Sequence, residues 1–199
     1  MCDIKGKICG FIKNEVLIKN IISHENNADN LEKNLEKDLN LSDEQKALTY
    51  KQILIIRFSI MEAVGRGFLL FLSNNCDDRG CQNIKCKYYK NQEQIKKIKF
   101  IDMLEHIDNM RFTGFKAWEK EDFKYLKEIR NRVHLSFEKL DSDLEIFNKK
   151  LIDKIVDLND KFIEQCSYSA NCINENNVKY CLKELDEDNY EFEKRQKAK

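Results

Sequence analysis

Residues 42–73 read SDEQKALTYKQILIIRFSIMEAVGRGFLLFLS. The stretch opens with a capping box: Ser42 can take the N-cap position, and Gln45, three residues on, can reach back to it. Leu48, Ile55, Phe58, Ile60, Met61, Val64, Phe68 and Leu72 then supply a broad apolar surface at helical spacing. A helix apolar on more than one side is packed on more than one side, so this one is expected at the centre of the molecule. Arg57, Glu62 and Arg66 interrupt it. They are read as surface or interface salt-bridge partners, because a polar residue on a long helix usually faces water. The other reading turns Glu62 or one of the arginines across the core toward the helix at 118–140, which carries the Arg130/His134 motif.

Working outward, the chain of 199 residues contains no proline and six glycines. Nothing forces frequent turns, which favours long helices over a many-stranded sheet. The expected fold is all-α, an up-and-down bundle of four to five helices. Residues 1–41 form an N-terminal segment, partly loop. Within it, 11–23 suits a short helix or a strand, and the Asn-rich, charged stretch 24–40 suits a loop or a loosely held helix. Residues 42–165 form the helical core. Within it, 92–110 is helical, with His106 a satisfied histidine, and Gly114 marks a connection. A helix over 118–140 follows, with Trp118 as its anchor. Asp141-Ser142-Asp143 caps another, whose stripe is Leu144, Phe147, Leu151, Ile155, Leu158 and Phe162. Residues 166–199 form a charged tail. The helices at 42–73 and 118–140 are the expected core pair.

The helix over 118–140 carries the chemistry. Phe123, Leu126, Ile129, Val133, Phe137 and Leu140 recur at steps of three and four and mark its buried stripe. Arg130 and His134 are four apart, one turn above the other, at the border of that stripe. Arg132 faces away. Histidine exchanges a proton near neutral pH and serves as general base or acid. Arginine is always charged and grips phosphate through paired N–H groups. Asn131 can hold a neighbour by amide hydrogen bonds. The set suits phosphodiester chemistry, with one group moving a proton and another stabilising charge on phosphorus. The plain alternative is a solvated Arg/His pair at a helix edge.

An Arg-Asn start followed by a His, late in an amphipathic helix of a small helical protein, resembles the HEPN superfamily. That resemblance implies a HEPN-like bundle and a metal-independent endoribonuclease of a toxin, abortive-infection or CRISPR-type defence system. It implies Arg130, Asn131 and His134 as the catalytic set. It also implies a homodimer in which the motifs of two protomers form one composite site. RNA would be cut by attack of its own 2′-hydroxyl, leaving a 2′,3′-cyclic phosphate. Three residues separate Arg130 from His134, one fewer than the family's usual minimum. The alternative is a catalytically inactive HEPN-like module that binds RNA or a defence-system protein.

The formal net charge is zero, which argues against an extensive RNA-binding surface and puts the weight on local charge. Lys85, Lys87, Lys96 and Lys97 lie in a lysine-rich stretch that would help hold an RNA backbone. Cys76, Cys81 and Cys86 are separated by four residues each, wider than most zinc knuckles, so they read as incidental thiols rather than metal ligands. No cofactor is expected. The best apolar run, Ile53 to Leu72, holds three charges and does not read as a membrane span. The start lacks an apolar signal-peptide region, so the cytoplasm is the expected compartment. The expected partners are RNA, a second copy of the chain, and an antitoxin or other defence-system protein.

Overall fold

The computed structural model describes residues 4–38, 40–75, 92–109, 120–135 and 146–174. Seven helices lie within them: α1 (Ile4–Ile8), α2 (Glu15–Lys37), α3 (Asp43–Asn75), α4 (Gln92–Lys97), α5 (Phe100–Asn109), α6 (Lys120–Leu135) and α7 (Lys149–Asn174). No strand occurs among the described residues. The protein is all-α.

The central helix forms as its capping box predicts. The Gln45 backbone N–H donates to Ser42 Oγ at 3.2 Å, and the Ser42 N–H donates to Gln45 Oε1 at 2.9 Å. The 33 residues of α3 then run without a break. Its Ile53, Leu54, Met61 and Val64 are completely buried. Gly65 permits the closest approach of its neighbours: a Cβ there would sit 2.5 Å from Met103 Sδ of α5 and 3.0 Å from Phe162 Cζ of α7.

Not every apolar residue of α3 is enclosed. Leu48 and Ile55 were expected in the core, but they are 63% and 40% exposed. At about 100° per residue they share a wedge with Gln52 and Ser59, which are also exposed. The first half of α3 is therefore open along one stripe. Farther along, the same stripe reaches Glu62 and Arg66, which are half-buried.

The partners of α3 differ from the expected pair. Its most extensive packing is with α7 and α2, and α6 adds a smaller contact. The reason is length of apolar stripe: α7 buries Phe147 just before it and Leu151, Ile155, Leu158 and Phe162 along it, as expected, then continues through Ser169 and Ala170. The helix thus runs past Cys166 to Asn174, into the stretch read as a charged tail. The segment 92–110 is two helices, not one. The Ile98 N–H reaches the Ile95 carbonyl at 3.3 Å, closing α4 tightly, and α5 restarts when the Met103 N–H donates to the Lys99 carbonyl.

The largest departure is α2. The Asn14 side chain caps it by accepting from the Leu17 N–H at 3.0 Å. It then runs through the stretch read as a loop or loosely held helix, to Lys37. It packs Ile21, Ala28, Leu31 and Leu35 against the core, and a buried cation of α3 ties down its charged shoulder. Arg57, only 3% exposed, donates to Glu25 Oε1 at 2.6 Å, Asp29 Oδ1 at 2.9 Å and Glu32 Oε1 at 3.1 Å. These carboxylates sit at i, i+4 and i+7, on one shoulder of α2. Burial pushes the Glu25 carboxyl above its usual range, outweighing the pull of Arg57, which it shares with two other acids. Burial alone would lower Arg57, but Glu25 and Glu32 more than reverse this and hold its proton tighter still.

Candidate functional site

Helix α6 is amphipathic, and its apolar side is Leu126, Ile129 and Val133, all buried. Acids in its first turn, Glu121 and Asp122, complement the helix dipole. Arg130 sits at the edge of the buried side with its side chain 28% exposed. From there its Nη2 donates to Glu62 Oε1 of α3 at 2.6 Å. Its guanidinium also lies over the Phe100 ring of α5, 5.2 Å from the centroid, an attractive cation–aromatic arrangement. Three helices therefore meet at this one side chain. Phe100 is fixed in turn by an edge-on contact with Phe58 of α3 at 5.6 Å.

Glu62 serves two cations. Its other oxygen, Oε2, lies 3.4 Å from Arg66 Nη2, one turn along α3. Arg66 Nη2 also donates to the Ile98 carbonyl at 3.4 Å, at the break between α4 and α5. Neither Arg130 Nε nor Arg66 Nε has a hydrogen-bond partner among the described residues. One carboxylate between two guanidiniums leaves a net positive charge at a half-sheltered edge, where an anion gains more than it would in open water. Of the two readings of Glu62, the contact is the one that turns it to the helix of the motif, because α6 brings a buried-edge arginine within reach and neutralisation favours the pair over two separately desolvated charges.

Asn131 is exposed on α6, beside Arg130, and Arg132 is exposed as well. His134 lies one helical turn beyond Arg130 on the same helix, and its side chain is outside the described ones. Lys96 and Lys97 are exposed at the end of α4, with Lys96 engaged by Glu93 at 2.7 Å. Lys85, Lys87, Cys76, Cys81 and Cys86 lie outside the described residues, as do Trp118, Phe137 and Leu140. Among the described residues no cluster of three or more His, Cys, Asp or Glu side chains has metal-binding geometry. Of the two described free thiols, Cys9 is exposed and Cys166 is buried, and burial pushes the Cys166 thiol well up, away from the reactive thiolate.

Phe100 carries no signal for the site in the sequence. Arg66 enters there only as one of the arginines that could turn toward the motif helix, and its i,i+4 spacing from Glu62 is the local sign that the two pair. No helix among the described residues is long and apolar enough to cross a membrane. Comparisons with protein-family models, curated proteins and solved structures find no match.

Proposed function

We propose that the protein is a metal-independent endoribonuclease of HEPN type, acting in a prokaryotic defence or toxin system. The observation that carries the reading is Arg130: a cation held at a half-buried helix edge by Glu62 and Phe100, one turn from a histidine on the same helix. His134 removes the proton of a ribose 2′-hydroxyl, and that oxygen attacks the adjacent phosphorus. Arg130 stabilises the charge on the crowded phosphate, and Asn131 orients His134 or the phosphate. The proton for the departing 5′-oxygen comes from His134 of a second copy, which requires a two-fold dimer with the motifs facing each other. RNA supplies its own nucleophile, so no metal enters the reaction and DNA is spared. The HEPN-like up-and-down arrangement of the helices is part of this proposal, as is the cytoplasm as its compartment.

The test is cleavage of single-stranded RNA by the purified full-length chain in excess EDTA. Wild type is expected to give fragments ending in 2′,3′-cyclic phosphate and 5′-hydroxyl, and His134→Ala none. Cleavage that survives His134→Ala in the purified variant would sink the assignment.

A second reading is a module that binds RNA or a defence-system protein, an antitoxin for example, without cutting. The Glu62 carboxylate favours it, since it already occupies Arg130. Expression separates the two: a nuclease arrests growth in a manner that depends on Arg130 and His134, and a binding module does not.

A further inference from the structure

We propose that Arg66 is a second phosphate-binding cation, which joins Arg130 to the lysine-bearing corner between α4 and α5 in one track for the backbone of single-stranded RNA. The proposal rests on Arg130 facing phosphate, as in the function proposed above, but not on cleavage. Three observations carry it.

The first is how weakly Arg66 is held. Glu62 makes its short contact with Arg130, at 2.6 Å, and leaves Arg66 at 3.4 Å. The bond to the Ile98 carbonyl is also 3.4 Å; Arg66 Nε is buried without a partner among the described residues, so the donors open to a ligand are those of the terminal nitrogens. A guanidinium has five N–H donors. Two long contacts to one nitrogen leave its capacity for a charge-assisted pair largely unspent, and a phosphate offers a shorter, bidentate one.

The second is access. The Arg66 side chain is 38% exposed, more open than Arg130 or Glu62. It lies at the half-buried far end of the stripe of α3 whose first half, from Leu48 to Ser59, is exposed.

The third is what lies beside it. The Ile98 carbonyl ties Arg66 to the α4–α5 break, and the residues flanking Ile98, Lys97 and Lys99, are both exposed. Arg130, Arg66, Lys97 and Lys99 thus come from three separate parts of the chain to one region. Arg130, Arg66, Lys97 and Lys99 stand there against the carboxylates Glu62 and Asp102, with Lys96 and Glu93 paired to each other beside them, although the whole chain is neutral. A local positive track on a neutral protein suits a polyanion bound through its phosphates.

The experiment is fluorescence anisotropy of the full-length protein with a labelled 2′-O-methyl RNA of about 12 nucleotides. That probe cannot be cut by 2′-hydroxyl attack, so binding is read apart from chemistry. Arg66→Gln is expected to weaken binding about tenfold and to lower the log–log salt slope by about 0.7, the signature of one lost phosphate contact on a single strand. Arg66→Lys, which keeps the charge, is expected to retain the wild-type slope. The proposal is overturned if wild type does not bind the probe. It is overturned equally if folded Arg66→Gln keeps the wild-type slope, which would leave Arg66 as a strap between α3 and the α4–α5 corner. Cleavage of unmodified RNA, measured in parallel with His134→Ala, reports on the nuclease reading alone: binding with the expected slopes but no cleavage leaves the phosphate track standing and removes the nuclease.

Discussion

The two arginines of α3 show how context divides one residue type. Arg57 is sealed and surrounded by acids, whereas Arg66 is open and only loosely paired. Removing Arg57 strands three carboxylates that are each about one-fifth exposed. Arg57→Ala is expected to cost about 3 kcal/mol, the lower end of the range for breaking a buried ion pair because those acids keep some water, measured by urea unfolding. Glu25 adds a pH dependence. Its carboxyl sits above its ordinary 4.5 in the folded chain, so the folded state holds the proton more tightly than the unfolded state does. The stability this confers is complete below pH 4.5 and is lost as the pH rises through the raised folded value. Glu25→Gln cannot ionise, so its melting temperature is expected to rise relative to wild type as the pH goes from about 4 to about 7. A parallel pair of melting curves across that range would contradict the assignment of Glu25 as the strained acid of the cluster.

At the scale of elements, the start of α3 is settled by a local code. Ser42 and Gln45 satisfy each other's backbone donors within four residues. Ser42→Ala is therefore expected to lose about 1 kcal/mol, read from the denaturant midpoint with an unchanged slope. Codes of this kind are legible in sequence because both partners are near neighbours. The helix α2 is the opposite case. Its 24–40 stretch looks solvated because it is rich in Asn, Glu and Asp, and those same carboxylates are what Arg57 uses to dock it. A charged shoulder of a packed helix and a charged loop have the same composition. The position of the counter-charge on α3, and the core contact of Ala28, Leu31 and Leu35, tell them apart. The split of 92–110 into α4 and α5 was hidden likewise, since Ile95, Ile98, Phe100 and Leu104 are all buried on both sides of the break and their spacing reads as one stripe.

At the scale of the whole molecule, the proposed chemistry needs two histidines around one phosphate, and one chain offers one of them in this motif. Specific RNA-cleaving activity is accordingly expected to fall on dilution through the dimer dissociation range, in step with the mass-averaged particle size from sedimentation. Activity that stays constant per chain down to a fully monomeric sample would rule out a composite site.

The sequence alone determined the helical class, the start and course of the central helix, and the apolar stripes of α6 and α7. Each of these rests on groups within a turn or two of one another, where propensity, capping and period act directly. It also placed Arg130 at the rim of a buried stripe, which follows from angle along a helix. The tertiary structure decided which helices pair, that Leu48 and Ile55 face outward, that Arg130 lies over Phe100, and that Glu62 pairs with both Arg130 and Arg66. Those facts depend on the rotation of one helix against another, which is set by the summed fit of whole surfaces rather than by any short run of residues.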